Sequence, residues 1–300
     1  MLKHSELLNA ADRERSDWRA WWLVMSNWAA IIALLVLAGL YPSMLTISLL
    51  WVVLPGRQLG LSVLMHEAGH GTLFSTRRLN HWVGQWLCAL PTLNDLPSYA
   101  AAHLNHHRLT GTPQDPDLAN YRAYPVDGRS FRRKVIRDLT GQTGAKLVVG
   151  AVKGGLSHFS GQAASGDRLL FLKQVLVQAT LALILMLLGI GWTWLLWFAT
   201  FMTSYMLVTR LRQIAEHAAV PDANDPDPRM STRTVIAPAW QRWLLAPHGV
   251  NFHLEHHLLP GVPCYHLPAF RARLVEMGWL DRVPVFSGYP EVFAHAVRRG

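Results

Sequence analysis

The chain is 300 residues long, 51% apolar and only 16% charged, with thirteen tryptophans and a formal net charge of +9. That balance is too apolar and too aromatic for an ordinary water-soluble domain. The positive charge alone would admit a nucleic-acid partner, so the placement of the basic residues has to decide. Cys88 and Cys264 form neither a CxxC nor a disulfide framework and read as small apolar residues.

Residues 1–19 are polar and charged, with Leu2, Leu7 and Leu8 on one helical face, which predicts an interfacial helix. Residues 20–56 then run without Asp, Glu, Lys or Arg. A bilayer crossing takes ~20 apolar residues rising ~1.5 Å each, so this stretch has room for two crossings. A break at residues 39–43 (GLYPS) divides it into spans at 20–40 and 44–65. The apolar run is too long for a signal peptide, and no small-residue cleavage site follows it.

A polar segment, residues 66–168, comes next. Within it, residues 79–94 lack charge and include Trp82, Trp86, Leu87 and Leu90; they are too short for a crossing and predict a re-entrant or interfacial helix. Residues 174–209 form the second uncharged stretch, broken at residues 189–192 (GIGW), giving spans at 169–188 and 193–210. Residues 211–300 close the chain, and residues 238–250, with Trp240, Trp243, Leu244 and Leu245, predict another membrane-surface helix.

The basic residues set the orientation. Four Lys and Arg precede residue 20, twelve lie at 77–168 and ten at 210 onward, with none in the two short breaks. Both termini and the middle segment are therefore expected on the cytoplasmic side, and the excess charge reads as topology and attraction to anionic lipid, not nucleic-acid binding. The whole predicts one all-α integral membrane domain over residues 1–300. Four transmembrane helices in two hairpins would carry a cytoplasmic helical cap, residues 66–168 and 211–300.

Nine of the fifteen histidines fall on that predicted cytoplasmic side in a pattern. His66 and His70 are spaced i, i+4, on one helical face. His103, His106 and His107 make an HxxHH, and His253, His256 and His257 repeat it; His217 follows the fourth span. Neutral imidazole suits iron, zinc, copper or manganese, so the residue type does not name the metal. The number says more. A zinc site takes three or four protein ligands, and nine candidates suit two ions in a histidine-ligated dimetal site. His4, His81, His158, His248, His266 and His295 lack the pattern and read as solvated or hydrogen-bonded.

At these boxes the sequence resembles the membrane fatty acid desaturase superfamily, which also contains lipid and carotenoid hydroxylases. The resemblance covers most of residues 20–270. It includes the stretch after the second box, with Thr112-Pro113 and Asp115-Pro116-Asp117, and residues 258–265 after the third. It implies metal ligation by His66, His70, His103, His106, His107, His217, His253, His256 and His257, with Gln213 reaching one metal through water. Glu67, Asp115, Asp117, Glu216, Asn251 and Glu255 are candidate partners for ligand N–H groups. The implied cofactors are two non-haem irons and O2, with hydrogen removed from a methylene. Loss of a second hydrogen gives a double bond, whereas return of oxygen gives an alcohol. No side chain is required as general acid or base. No haem-binding HPGG appears, so electrons are expected from a separate ferredoxin, rubredoxin or cytochrome, for which Arg132, Arg133, Lys134 and Arg137 offer a docking surface.

The Asp-Pro-Asp region and residues 139–144 look more like bacterial acyl desaturases than carotenoid hydroxylases. Desaturation of an acyl chain is therefore the expected function, at a bacterial inner membrane, with lipid or carotenoid hydroxylation as the alternative. A more distant alternative reads residues 66–70 as the HExxH of an intramembrane zinc protease with Asp127 as a third ligand. That reading leaves seven patterned histidines unexplained. A metal transporter is disfavoured because it would carry ligands inside its spans.

Overall fold

The computed structural model describes residues 9–157, 165–281 and 283–298. The face proposed for Leu2, Leu7 and Leu8, and the histidines His4 and His158, lie outside them. The protein is mostly helical. In chain order the helices are α1 (Asp17–Leu40), α2 (Met44–His70), α3 (Arg77–Val83), α4 (Leu96–Leu109), α5 (Leu118–Tyr121), α6 (Gly128–Leu139), α7 (Gln142–Ser157) and α8 (Ser165–Leu187). The series continues with α9 (Thr193–Met202), α10 (Ser204–His217), α11 (Pro228–Ser231), α12 (Ala239–Leu245), α13 (His253–Leu258), α14 (Leu267–Glu276) and α15 (Tyr289–Ala296). One parallel pair of two-residue strands, Val126–Asp127 with Val297–Arg298, ties the start of α6 to the C-terminal end.

Among the described residues three helices are long and apolar enough to cross a membrane: the one ending at Leu40, Met44–His70 and Arg168–Leu187. α1, α2, α8 and α9 share a core of Ile31, Leu35, Leu50, Leu54, Leu181, Leu185 and Trp197. Their outward faces leave Met25, Ile32, Leu45, Leu49, Val52, Leu176, Leu183, Leu187 and Leu195 exposed. Exposed apolar side chains on helices of this length suit a lipid surrounding. Ser43 caps α2 in a reciprocal pair with Thr46, and Gly71, at φ 68°, ends it in the left-handed conformation.

The fourth expected span differs from the prediction of one helix over 193–210. The chain breaks at Thr203 (φ −120°, ψ −88°), which separates α9 from α10. Hydropathy reads composition and misses this break. The hydroxyls of Thr200 and Thr203 bond back to the carbonyls of Leu196, Trp197 and Ala199. Ser204 Oγ reaches across to the Trp51 carbonyl. Such back-bonding competes with the helix ladder and bends it.

The second half of α2, from Val53 to Ala68, is buried almost throughout, so this helix runs on from the apolar bundle into the cap. Pro55 removes one backbone donor there, and Gly56 leaves its face bare. A Cβ on Gly56 would stand 2.4 Å from the Leu244 carbonyl oxygen, so the end of α12 docks against this bare turn. Arg57 completes the joint by donating to the Trp243 carbonyl and lying over the Trp243 ring. Trp240 and Trp243 remain exposed. This joint sets the chain leading into α13, and with it the third histidine box, beside the end of α2.

Residues 79–94 are expected to form one short helix, re-entrant or at the membrane surface. Instead α3 passes into a π-helical turn (Gly84–Ala89) and a 3-10 turn (Leu90–Thr92), buried against α2. Gly84 permits the approach: a Cβ there would stand 2.5 Å from the Cβ of Ala68, midway between His66 and His70. Gln85 then fixes the entry to α4, its Oε1 accepting from the Leu96 N–H at 2.7 Å and its Nε2 donating to Asp95 at 3.0 Å. Asp95 itself caps α4.

Candidate metal centre

Four elements bring their histidines to one place. α2 supplies His66 and His70 from its last turn, and α4 supplies His103, His106 and His107. α10 ends in His217, and α13 supplies His253, His256 and His257. The ligating atoms of His66, His70, His103, His107 and His256 all lie within 4.8 Å of one another, and those of His106, His217 and His257 form a second such group. The groups adjoin, with the rings of His107 and His257 4.2 Å apart. His253 stands at the edge of the second group, its Nε2 2.8 Å from that of His217.

The donor set fits cations. The buried Nε2 atoms of His66, His70 and His257 have no hydrogen-bond partner. Orphaned buried polar atoms are costly unless something binds them. The contacts between rings point the same way. The Nε2 atoms of His103 and His107 are 2.9 Å apart, and those of His107 and His256 are 3.0 Å apart. Two nitrogens held at right angles about 2.1 Å from one ion lie about 3.0 Å from each other. Burial holds His217 down to about 3 and drives His103, His107, His253, His256 and His257 below the ordinary imidazole value. The rings are therefore neutral, with lone pairs available to a metal.

Outer partners orient several of them. Glu67 Oε1 lies 3.2 Å from His66 Nδ1, while its other oxygen accepts from the Thr72 hydroxyl and the Cys264 N–H. Asp115 Oδ1 lies 2.8 Å from His106 Nδ1 and also accepts from the Asp117 N–H. Asp117 Oδ2 stands 3.8 Å from the same His106 nitrogen. His217 Nδ1 faces the Ser231 carbonyl at 3.2 Å. A bond at Nδ1 in each case leaves Nε2 to the cage.

The remaining candidates sit further out. Gln213 lines a 230 Å³ cavity that His103, His106, His217 and His253 also line. Glu216 lines it too, paired with Arg212 at 3.1 Å and 3.7 Å from His253 Nδ1. Burial pushes the Glu216 carboxyl up to about 7 against the pull of Arg212. Asn251 Nδ2 donates to the Val235 carbonyl, and its Oδ1 has no hydrogen-bond partner. Glu255 is turned away, accepting from Arg271 and the Thr234 hydroxyl. Asp127, the third ligand of a protease reading, instead caps α6 by accepting from the Ser130 N–H at 2.7 Å.

Of the unpatterned histidines, His248 contacts Asn27, His266 the Glu14 carbonyl and His295 the Ala219 carbonyl, all away from the cage. Sequence reasoning missed two tyrosines. Tyr99 stacks on His103 with centroids 5.3 Å apart. Tyr121 stacks on His217 at 4.8 Å and donates its hydroxyl to Asp115. Their only sequence signal is position: Tyr99 is one helical turn before the second box, and Tyr121 follows the Asp-Pro-Asp turn.

Comparison with known proteins gives the same direction. A family model described as fatty acid desaturase matches residues 42–288. The chain is 25% identical over 289 residues to the dihydrorhizobitoxine desaturase of Bradyrhizobium elkanii, covering 86% of this chain and 76% of that protein. It is 25% identical over 296 residues to the sn-1 oleoyl-lipid 12-desaturase of a Picosynechococcus species, covering 89% and 80%. A shorter match, 32% identical over 100 residues, links it to the β-carotene ketolase of a Paracoccus species, covering 33% and 36%.

Proposed function

Because the chain belongs to the membrane fatty acid desaturase superfamily, we propose that it is an oxygen-dependent di-iron desaturase acting on an acyl chain of a lipid or fatty acyl substrate. The observation that carries this reading is the pair of adjoining histidine groups, five ligands in one and three in the other with His253 beside them. His66, His70, His103, His107 and His256 would hold one iron; His106, His217, His253 and His257 would hold the second, with Gln213 near enough to its cavity to act through water. Two irons bound there supply the means to reduce O2 and remove hydrogen from an unactivated methylene.

The balance needs one O2, two electrons and two protons for each pair of hydrogens taken from the chain. It yields a double bond and two waters. The residues position and shield the reaction: Glu67, Asp115 and the Ser231 carbonyl fix the rings, and buried Tyr121 closes over His217. An apolar groove of 410 Å³ between α7, α8 and α9, walled by Val148, Phe171, Val175, Trp194 and Phe198, supports an acyl chain as the substrate class.

In this reading residues 20–40, 44–65, 169–188 and 193–210 cross a bacterial inner membrane, with both termini and the metal centre on the cytoplasmic side. The Lys and Arg distribution supports that orientation. The electrons come from a separate protein.

A second reading, oxygen insertion into a lipid or carotenoid C–H bond, is favoured by the likeness to a carotene ketolase. Expression with suitable redox partners, followed by lipid and fatty acid profiling, separates the two. A new acyl double bond supports desaturation. A new hydroxyl or keto group in place of a double bond replaces it with the second reading.

A further inference from the structure

The turn that leads from the π-helical segment toward α4 holds a leucine in a conformation suited to glycine. Leu93 has φ 55° and ψ 24°, in the left-handed region where a Cβ crowds the backbone. Such a residue persists only where its surroundings over-determine it. Here its N–H donates to the Leu90 carbonyl at 3.1 Å, and the Asn94 N–H donates to the Ala89 carbonyl at 3.0 Å. The Leu93 carbonyl accepts from Gln174 Nε2 at 2.9 Å, and the Pro91 carbonyl accepts from Gln178 Nε2 at 2.9 Å. The two glutamines are spaced i, i+4 within the part of α8 that is long and apolar enough to cross a membrane. Amide groups are costly in such a helix unless they are satisfied, and both donate to this one turn.

The Leu93 side chain belongs to two neighbourhoods. On one side it lines the 410 Å³ groove between α7, α8 and α9. On the other it packs, together with Val148, against the buried core of Val63, Phe201 and Tyr205. The Tyr205 and Ser62 hydroxyls meet there at 2.8 Å, and Ser62 is one helical turn before His66 on the same face of α2. Leu93 thus stands between the groove and the part of α2 that carries the first histidine group. The outer side of the groove is open, because Val175 and Ala179, one turn apart on α8, line it and are exposed. Among the described residues none of its lining side chains is charged. A phosphate-bearing soluble carrier finds no cationic partner in it, whereas an alkyl chain from a bilayer meets apolar walls.

We propose that Leu93 determines specificity as the threshold between the metal centre and a lateral entrance, the α7–α8–α9 groove, which takes the acyl chain of a membrane lipid directly from the bilayer. Gln174 and Gln178 are positioning residues that hold this threshold in place from α8. The proposal deepens the desaturase reading and rests on it. The length of chain lying beyond Leu93 fixes which carbon faces the metal centre, so the side chain at this position sets where the double bond forms.

The test uses the full-length protein in nanodiscs containing phosphatidylcholine with a photoactivatable diazirine in mid-chain, adducts being mapped by mass spectrometry. Wild type should be labelled on Val148, Val175 and Trp194. Ala182→Trp fills the groove from α8 and should cut that labelling at least about tenfold. Ala179→Trp should do the same at the open side, whereas Leu176→Trp, exposed but outside the groove, should not. Leu93→Gly suits the left-handed backbone and lowers the threshold. Its adducts should extend to Tyr205, and lipid profiling should find the double bond at several positions in place of one, with melting temperature and iron content retained. Gln174→Leu combined with Gln178→Leu should release the turn and spread the double bond likewise; a slower reaction at the wild-type position would remove the positioning role. Labelling unchanged in both groove tryptophan variants, or a Leu93→Gly product with the wild-type double-bond position, overturns the proposal. So does a coenzyme A thioester of the same diazirine chain that labels the groove where the phospholipid does not. Failure of the desaturase reading looks different: the groove would still take label in a manner blocked by Ala182→Trp, but the protein would hold no iron and form no double bond.

Discussion

His106 and Asp115 face each other with Nδ1 and Oδ1 2.8 Å apart, both side chains buried, and Tyr121 donates to the second oxygen of the same carboxylate. The carboxylate fixes the ring so that Nε2 points into the second histidine group, and its charge makes that nitrogen a better donor. Replacement of such outer partners costs metal affinity by about 10–100-fold. Asp115→Asn keeps the shape and removes the charge. Iron after equilibration with a chelator should fall toward one per chain, with activity lost and helix content unchanged. A variant that retains two irons at wild-type affinity removes this role from Asp115.

The two groups should also be separable. His256 belongs to the five-membered group and His217 to the three-membered one. His256→Ala and His217→Ala are each expected to lower bound iron and abolish product while the protein still inserts in the membrane. Mössbauer spectra of the singly depleted proteins should differ, because different sites stay filled. Identical residual spectra, or wild-type turnover in either variant, would count against two distinct sites.

The cage was legible because its information is local. An i, i+3, i+4 spacing places imidazoles on one face of a helix whatever the rest of the chain does, and the boxes at His66, His103 and His253 needed no tertiary knowledge. Glu67 and Asp115 were legible for a similar reason, lying one and nine residues from the rings they touch. Glu255 was misread as a histidine partner because adjacency says nothing about direction, and Arg271, on another helix, claims it. The Ser231 carbonyl could not be read at all, since a backbone acceptor has no residue signature. Likewise, hydropathy located the fourth apolar stretch but not its break at Thr203, which depends on hydroxyls competing for carbonyls.

Metal removal should expose how much the cage relies on its ions. Ligand that binds only the folded state stabilises it by about 4 kcal/mol at a thousand times its dissociation constant. Stripping the metal should therefore lower the melting temperature by several degrees, and Fe(II) should restore it. Zn(II) is expected to restore stability without activity, because it has no redox chemistry. The metal-free protein should also be acid-sensitive. His217 is held down to about 3 in the fold, whereas an unfolded imidazole binds a proton near about 6.5. A group with a depressed folded value contributes stability above its unfolded value and loses it as the pH falls. Melting temperatures of the stripped protein should thus drop between about pH 7 and pH 5. A flat profile there, or no change on stripping, would contradict a buried cage of neutral rings.

The approach of Gly84 to Ala68 offers a test of how the π-helical segment sets the first histidine pair. Gly84→Ala puts a Cβ 2.5 Å from that of Ala68, and neither is the end of a flexible side chain. Overpacking of this kind costs about 1–3 kcal/mol. Because Ala68 lies between His66 and His70, the push should also misplace both rings and reduce iron in the five-membered group. Ala68→Gly alone should cost about 1 kcal/mol through helix propensity. Combined, the two changes exchange the methyl groups across the contact and restore the spacing. The double variant should then be more stable than the sum of the single effects predicts, and should recover iron. Thermal unfolding and iron per chain measure both parts. Strict additivity would mean that the close contact does not govern where α2 presents His66 and His70.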